Sequence, residues 1–174
     1  MGKIIYYVAA SLDGFIADEN GGVDWLTPYQ EAGYDYGYAE FYEHIGYIIT
    51  GSKTFEQASN FPGGWAFPHA LTYIFSNRTL DTQNRDDLIL WKSGIDALAS
   101  ELRKQEKDTW LIGGSNLAGQ FFNEGALDEI LLSIMPTILG KGIPLFDGIK
   151  KVGNADLRNH VTFPNGVVQL VYDL

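Results

Sequence analysis

The stretch DTWLIGGSNLAGQFF (residues 108–122) joins a short apolar run to two glycines and then to a pattern typical of a helix. Residues 109–112 predict a buried strand, and residues 115–124 predict a helix. Gly113 and Gly114 therefore occupy the turn that leads into the N-terminus of the helix. Such a turn presents unpaired backbone N–H groups, and glycine lets a phosphate approach them because it has no Cβ. A tight strand–helix turn with no ligand also explains the pair, so the rest of the chain must decide between the two.

The same alternation of strand and helix runs along most of the chain. Residues 3–10 form a continuous apolar, β-branched and aromatic run, which predicts a central strand buried on both faces. Other strands are predicted at residues 46–51, 71–76, 88–91 and 127–136, and helices at residues 34–45, 52–59 and 94–107. Asn165-Gly166 between two apolar runs predicts a C-terminal hairpin. We therefore predict an α/β fold whose mixed sheet is mostly parallel, in a single domain of residues 1–174.

Composition excludes several classes of function. The 174 residues are 45% hydrophobic, and the formal net charge is −10, which disfavours binding to nucleic acid. The chain has no cysteine, so disulfides and thiol nucleophiles are excluded, and its three histidines lack the spacing of metal ligands, so no metal site is expected. Residues 1–14 are too short and too interrupted for a signal peptide or a membrane span. We expect a cytoplasmic protein with no membrane partner.

Two further strand ends resemble the Gly113-Gly114 turn in the groups that they offer. TGSKTFE (residues 50–56) and FSNRT (residues 75–79) both follow apolar runs. Their hydroxyl, amide and cationic groups come from Ser52, Lys53 and Thr54 in the first and from Ser76, Asn77 and Arg78 in the second. Each alone is explained by a helix cap, for which Ser52 is a candidate, or by a polar turn. Together the three strand ends predict a dinucleotide site, and the two cations predict an extra phosphate, hence NADPH rather than NADH.

Two segments near the N-terminus are candidates for contact with a substrate. AASLDGFIAD (residues 9–18) carries Asp13 between apolar stretches, so its carboxylate either belongs to a plain turn or lies beside a ligand. In VDWLTP (residues 23–28), Trp25 either joins the core or forms a wall for a flat ring. Asp24 either caps a helix or turn or contributes to the same pocket.

The order of five stretches resembles the dihydrofolate reductase-like superfamily, and most closely the reductase domain of the riboflavin-pathway bifunctional deaminase-reductase. These stretches are AASLDGFIA, TGSKTFE, IFSNRT, LIGGSNLAGQF and MPTILGKGIPLF. The resemblance covers nearly the whole chain, and the ordered set is specific although each piece alone is not. It implies a three-layer fold with helices on both faces of the sheet, NADPH as cofactor and a homodimer. It also implies hydride transfer to a small pyrimidine-like, pteridine-like or ribosylamino substrate.

The resemblance further implies a set of contacts. Ala9 and Ile16 would face the nicotinamide, and Asp13 would orient the substrate or relay a proton. Asp24 and Trp25 would shape the substrate pocket. The pyrophosphate and adenosine ribose would contact Gly51, Ser52, Lys53 and Thr54, and the 2′-phosphate would contact Ser76, Asn77 and Arg78. The nicotinamide half would contact Ile112, Gly113, Gly114, Ser115, Asn116 and Leu117, with a cis peptide bond between the two glycines.

Two positions depart from true dihydrofolate reductases. Gln30 stands where those enzymes carry an acidic residue that assists protonation, and glutamine cannot donate a proton as a carboxylic acid does. Ala70, with His69 beside it, stands where they carry an arginine that holds the folate carboxylate. Both changes argue against folate reduction. A dihydrofolate reductase and a non-catalytic dimeric NADPH-binding module remain the alternatives, with specificity expected in loops at residues 18–35 and 60–70.

Overall fold

The computed structural model describes residues 1–67, 69–82 and 85–174. Pro68, part of the loop predicted at residues 60–70, lies outside them. The strands are β1 (Ile4–Ser11), β2 (Phe15–Ala17), β3 (Ile45–Gly51), β4 (Leu71–Phe75), β5 (Leu88–Trp91), β6 (Asp108–Gly113), β7 (Glu129–Met135), β8 (Ile143–Pro144), β9 (Asp156–Thr162) and β10 (Val168–Asp173). The helices are α1 (Thr27–Gln30), α2 (Tyr38–His44), α3 (Ser52–Ser59), α4 (Ile95–Leu102) and α5 (Ser115–Asn123), and a 3₁₀ turn spans Asp24–Leu26.

Eight strands form one mixed sheet in the order β5-β4-β3-β6-β1-β7-β10-β9. The pairs from β5 to β7 are parallel, whereas β10 is antiparallel to both β7 and β9. A second, two-stranded antiparallel sheet joins β2 to β8. The α/β fold with a mostly parallel sheet and a C-terminal hairpin is thereby confirmed.

Strand β1 lies inside the sheet, as its unbroken apolar run predicts. It pairs in parallel with β6 on one side and β7 on the other. Ile4 and Tyr6 are fully buried, and Ile5 is nearly so. A strand covered on both faces needs apolar side chains at successive positions rather than at alternate ones.

Helices cover both faces of the sheet, which gives three layers. On one face, α4 and α5 contribute Leu98, Leu102 and Phe121, all buried, to a core with Tyr6 and Leu111. On the other face, residues of α2 and α3 pack with aromatic side chains of the sheet and loops, namely Phe41, Tyr42, Phe55, Trp65, Phe67 and Trp110.

Two helices are shorter than their sequence patterns predict. Helix α4 ends at Leu102 instead of residue 107, because Arg103 donates to the Gly125 carbonyl and the Asp128 carboxylate, and the chain turns there. Helix α2 begins at Tyr38 instead of residue 34. Tyr36 and Gly37 have φ of 54° and 74°, which a right-handed helix does not accept.

The expected cap at Ser52 is wrong. Strand β3 runs through Gly51, which takes the N-cap position, and Ser52 is the first residue of α3. No side chain caps this helix, and the Ser52 hydroxyl instead accepts a hydrogen bond from Arg78 at 3.4 Å. Among the helices of the described residues, none is both long and apolar enough to cross a membrane.

Candidate functional site

A cleft of about 960 Å³ lies along the edge of the sheet where the parallel strands end. Its walls are the segments that follow β3, β4, β5 and β6, together with residues 142–144 and Asp147. In open α/β sheets, ligands bind at the carboxyl ends of strands, because the chain diverges there and leaves a crevice. The cleft is therefore the first candidate for a ligand site.

The cleft brings together most of the residues predicted to contact a cofactor. Those that line it are Gly51, Ser52, Lys53, Thr54, Ser76, Asn77, Arg78, Gly114, Ser115, Asn116 and Leu117. The predicted site residues outside its lining are Ala9, Asp13, Ile16, Asp24, Trp25, Ile112 and Gly113. Ile112 and Gly113 end β6 just before the lining begins, and the peptide bond between Gly113 and Gly114 is cis, as predicted.

Two helix N-termini open into the cleft. Helix α3 follows Gly51 and α5 follows Gly114, and neither has a side-chain hydrogen bond at its N-cap. The backbone N–H groups of the first turn have no partner within a helix. Together with the helix dipole, they favour a negatively charged group at this position. The two ends therefore suit the phosphates of an extended anionic ligand.

Three cations line the outer half of the cleft. Lys53, Arg78 and Lys92 follow β3, β4 and β5, which are neighbouring strands, so about 10 Å separates the first strand from the third. Arg78 also forms an ion pair of 2.9 Å with Glu56, and its side chain is 60% exposed. Asp147 is the one carboxylate among the described lining residues. The cleft is thus locally positive on a chain whose net charge is −10.

Ser115 lines the cleft, and its hydroxyl has no hydrogen-bond partner. Ser115 is only 4% exposed, and its Oγ is buried and unpaired. A buried hydroxyl without a partner costs about 1–3 kcal/mol, so such groups are rare in folded proteins. Because Ser115 lines the cleft, rotation about its χ1 angle would present the hydroxyl to a ligand with an acceptor oxygen.

Sequence reasoning missed part of the lining. Lys92 and Ser93 follow the short strand β5, and a cation after a strand is the signal that could have found Lys92. No local signal marks Asp147, which reaches the cleft because its backbone N–H donates to the Ser115 carbonyl at 3.2 Å. The other missed residues are Gln57, Phe75, Trp91, Gln120, Gly142, Ile143 and Pro144.

Asp13 lies outside the cleft and holds a neighbouring loop. Its carboxylate accepts hydrogen bonds from the Ser11 hydroxyl at 2.6 Å and from the backbone N–H groups of Leu139 at 3.1 Å and Gly140 at 2.7 Å. The Ser11 hydrogen bond, followed by those of the two backbone groups, lowers the pKa of Asp13 below its ordinary value. Asp13 is therefore an anion that anchors the loop after β7.

The second face of the sheet is the one that α2 and α3 cover, and residues of β1 lie on it. Ala9 is half-buried and lies beside Ser133 of β7, and Tyr7 occupies the same face two residues earlier. Trp110 donates from Nε1 to the Tyr7 carbonyl at 3.0 Å. Rings of α2 and the loop after α3 surround Trp110, with centroid distances of 5.9 Å to Tyr38, 5.6 Å to Phe41 and 5.3 Å to Phe67.

Asp24 and Trp25 begin the segment that covers this face. Asp24 is exposed and makes no capping hydrogen bond, so the cap interpretation is wrong; the chain enters the turn through Val23 instead. Trp25 is half-buried, and its Nε1 is buried without an acceptor. Tyr36 anchors the segment, because Gln169 donates to its carbonyl at 3.1 Å and Asn165 donates to its hydroxyl at 2.7 Å.

Related sequences align with nearly the whole chain. The model of the RibD C-terminal domain matches residues 2–169. The protein YwjB of Bacillus subtilis (strain 168) is 33% identical over 172 residues, which cover 98% of this chain and 97% of YwjB. YyaP of the same organism is 37% identical over 186 residues, covering 98% of this chain and 94% of YyaP.

Solved structures share the fold at lower identity. A protein from Shewanella sp. PV-4 superposes with a TM-score of 0.88 at 24% identity, covering 98% of both chains. The Thermotoga maritima diaminohydroxyphosphoribosylaminopyrimidine deaminase/5-amino-6-(5-phosphoribosylamino)uracil reductase gives 0.74 at 16% identity, covering 99% of this chain and 56% of that one. Dihydrofolate reductase from Enterococcus faecalis, complexed with NADP(H), gives 0.65 at 19% identity, covering 99% and 96%. The fold is therefore dihydrofolate reductase-like.

Proposed function

The chain belongs to the RibD C-terminal domain family, and from that premise we propose that it is an NADPH-dependent reductase of a small heterocyclic substrate. The observation that carries the proposal is the cleft at the strand ends, where two uncapped helix N-termini, three cations and the unpaired Ser115 hydroxyl converge. Its volume of about 960 Å³ is at the upper end of the range of small-molecule sites.

The residues of the cleft suit the chemical groups of NADPH from one end to the other. Arg78 and Lys92 would hold the 2′-phosphate, and Lys53 with the start of α3 would hold the adenosine side of the pyrophosphate. Ser115 and the N-terminus of α5 would bind the nicotinamide side. Gly51 and Gly114 leave the backbone open to close approach, because neither has a side chain.

When bound, the reduced nicotinamide supplies a hydride, two electrons with one hydrogen nucleus, to the carbon of a C=N or C=O bond, and the adjacent nitrogen or oxygen takes a proton from water. The chain's own contribution is to bind and orient the two partners. Asp13 acts as a positioning residue for the loop after β7, since its carboxylate already accepts three hydrogen bonds.

Replacement of Ser115 by alanine tests the cleft directly. We expect Ser115→Ala to leave the free energy of unfolding unchanged or slightly raised, because it removes a buried hydroxyl that has no partner. The dissociation constant for NADPH should rise about 5- to 30-fold, the equivalent of one lost hydrogen bond of about 1–2 kcal/mol. Calorimetric titration and thermal unfolding measure the two effects.

Thr109→Val is the matched control. Thr109 is also buried with an unpaired hydroxyl, but it lies at the start of β6, the end opposite to the cleft. The control should leave NADPH affinity within about twofold of wild type. Equal loss of affinity in the two variants would contradict the assignment of Ser115.

The pH dependence of turnover tests the role of Asp13. The lowered pKa keeps the Asp13 carboxylate ionised at every pH above the ordinary pKa of an aspartate. Its hydrogen bonds to the loop are lost only as the pH falls through the lowered pKa. We therefore expect Asp13→Asn to lower kcat without changing the shape of the kcat profile between about pH 5 and 9. NADPH affinity should stay within about twofold of wild type. Loss of one limb of the profile in the variant would instead identify Asp13 as the proton donor.

Two assays separate this function from its alternatives. Gln30 is exposed at the end of α1 and Ala70 is 1% exposed before β4, so neither position supplies the acid or the cation expected for folate. In the first assay, oxidation of NADPH that depends on added dihydrofolate would show that the protein is a dihydrofolate reductase. Tight NADPH binding with no oxidation across pterins and aminopyrimidines would favour a non-catalytic module.

A further inference from the structure

We propose that the substrate site next to the proposed nicotinamide position accepts an uncharged, planar heterocycle that carries no phosphate. This inference rests on the proposed function and names the class of its substrate. It departs from the phosphoribosyl group in the name of the Thermotoga maritima reductase. Two observations carry it: the charge of the segment that covers the second face of the sheet, and the aromatic rings on that face.

The segment over this face, residues 24–44, lies within a stretch of the chain that has no lysine or arginine. That stretch, residues 4–52, contains eight carboxylates: Asp13, Asp18, Glu19, Asp24, Glu31, Asp35, Glu40 and Glu43. Backbone N–H groups hold Asp13, Asp18 and Asp35. The side chains of the other members near α1 and α2, which are Asp24, Glu31, Glu40 and Glu43, belong to exposed residues. These exposed carboxylates would repel a phosphate dianion that approaches the segment.

Few cations on neighbouring elements offset that charge. Arg158 pairs with Glu129 and Asp173, and Lys3 pairs with the same two carboxylates. Glu129 lies four residues before Ser133 along β7, so this cluster is about 13 Å from the strand position beside Ala9. Lys107 donates to the Glu43 carbonyl from the far end of α2.

Arg85 donates to the carbonyl of Trp65, a core residue of this face, and its guanidinium is paired with Asp87. The remaining basic groups near the face are isolated. Lys141 is exposed in the loop that Asp13 holds, and the histidines are His44 at the end of α2, His69 before β4 and the exposed His160 on β9. Among the described residues, Lys141 and the paired Arg85 contrast with the three cations that line the cofactor cleft at the strand ends. Within the described residues, the cations that could hold a phosphate are therefore concentrated in the cleft, and the second face has no comparable set.

The aromatic rings of the second face suit a flat ring system. Tyr7, Phe41, Phe67 and Trp110 are half-buried, and Tyr38 is 37% exposed, so these residues form an aromatic cluster at the border between the core and the surface. Tyr7 and Phe41 meet edge to face at 4.6 Å. Stacking on such rings favours planar ligands irrespective of charge. Together with the acidic segment, they favour a neutral heterocycle over a phosphorylated one.

A matched pair of compounds tests the inference: 5-amino-6-ribosylaminouracil and 5-amino-6-(5-phosphoribosylamino)uracil, which differ only in the phosphate. We expect kcat/KM with NADPH to be at least about tenfold higher for the compound without phosphate, because of the repulsion. Binding to the complex of the protein with NADP⁺, followed by quenching of tryptophan fluorescence, should show the same order. Equal values, a preference for the phosphorylated compound, or binding of neither would overturn the inference.

A charge-reversal pair identifies the cause of the preference. Glu31→Lys should improve kcat/KM for the phosphorylated compound relative to its partner by about threefold to tenfold. Glu106→Lys makes the same change of charge on an exposed residue between α4 and β6 and should leave the ratio unchanged. An unchanged ratio in Glu31→Lys would overturn the electrostatic argument.

Calorimetric titration with NADPH alone distinguishes failure of this inference from failure of the proposed function. Absence of NADPH binding refutes the proposed function, whereas NADPH binding with a preference for the phosphorylated compound refutes only this inference.

Discussion

Replacement of Arg78 and Lys92 together by alanine is expected to raise the dissociation constant for NADPH about 30- to 150-fold, and that for NADH by less than about threefold. The two side chains follow β4 and β5, which are adjacent at the outer end of the cleft. Each contact with the 2′-phosphate is worth about 1–1.5 kcal/mol, since both residues are exposed and partly screened by solvent. Calorimetric titration of both nucleotides at low and high salt measures the effect.

The control for this experiment is Lys104→Ala. Lys104 is exposed beyond the end of α4, outside the cleft, so its removal changes the net charge by one unit without touching the site. We expect both affinities to stay within about twofold of wild type. If the double variant weakens NADH as much as NADPH, the two cations do not contact the 2′-phosphate. Lys53→Ala is expected to weaken both nucleotides, and NADPH more.

Gly119→Ala is expected to destabilise the protein by about 3 kcal/mol or more and to lower Tm by about 6–12 °C. Gly119 is buried in α5, and a Cβ placed there would lie 1.9 Å from the Asp147 carbonyl oxygen. The clashing atom belongs to the backbone, so the segment before Gly148 would have to move. Because Asp147 lines the cleft, NADPH affinity should fall as well.

The sign of the change in unfolding free energy distinguishes the clash between a Cβ at Gly119 and the Asp147 carbonyl from an effect of helix propensity. Alanine favours a helix interior over glycine by about 1 kcal/mol, so without the clash the variant would be more stable than wild type. Gly94→Ala is the control: Gly94 is exposed with a φ of −64°, and a Cβ there meets no atom within 4 Å. Gly94 is the N-cap of α4, where alanine is less favourable than glycine, so its replacement should cost about 1 kcal/mol or less. Thermal and urea unfolding of both variants measure the difference, and a stabilised Gly119→Ala would contradict the packing of α5 against Asp147.

Local sequence patterns correctly predicted those strands and turns whose structure depends only on residues close in the sequence. The apolar run before Ser11 became the central strand, and the Asn165-Gly166 turn became the hairpin of β9 and β10, because periodicity and turn chemistry are local properties. Local patterns failed where distant residues intervened. Helix α4 stops at Leu102 because Arg103 contacts Gly125 and Asp128, more than 20 residues away.

The sequence by itself determined the α/β fold, most of its strands and helices, and three donor-rich strand ends, since these follow from side-chain periodicity and from the glycines and polar residues at the turns. It did not predict β2, β8 or α1, each of which has at most four residues. Only the tertiary structure decided which groups meet. It added Lys92 and Asp147 to the cleft, left the Ser115 hydroxyl buried without a partner, and joined Asp13 to Leu139 and Gly140 across more than 120 residues. Such contacts depend on how strands are ordered in the sheet, which no local stretch encodes. For the same reason, the Gly113-Gly114 turn alone did not indicate a ligand site. It does so in the structure because it lies beside the ends of β3, β4 and β5.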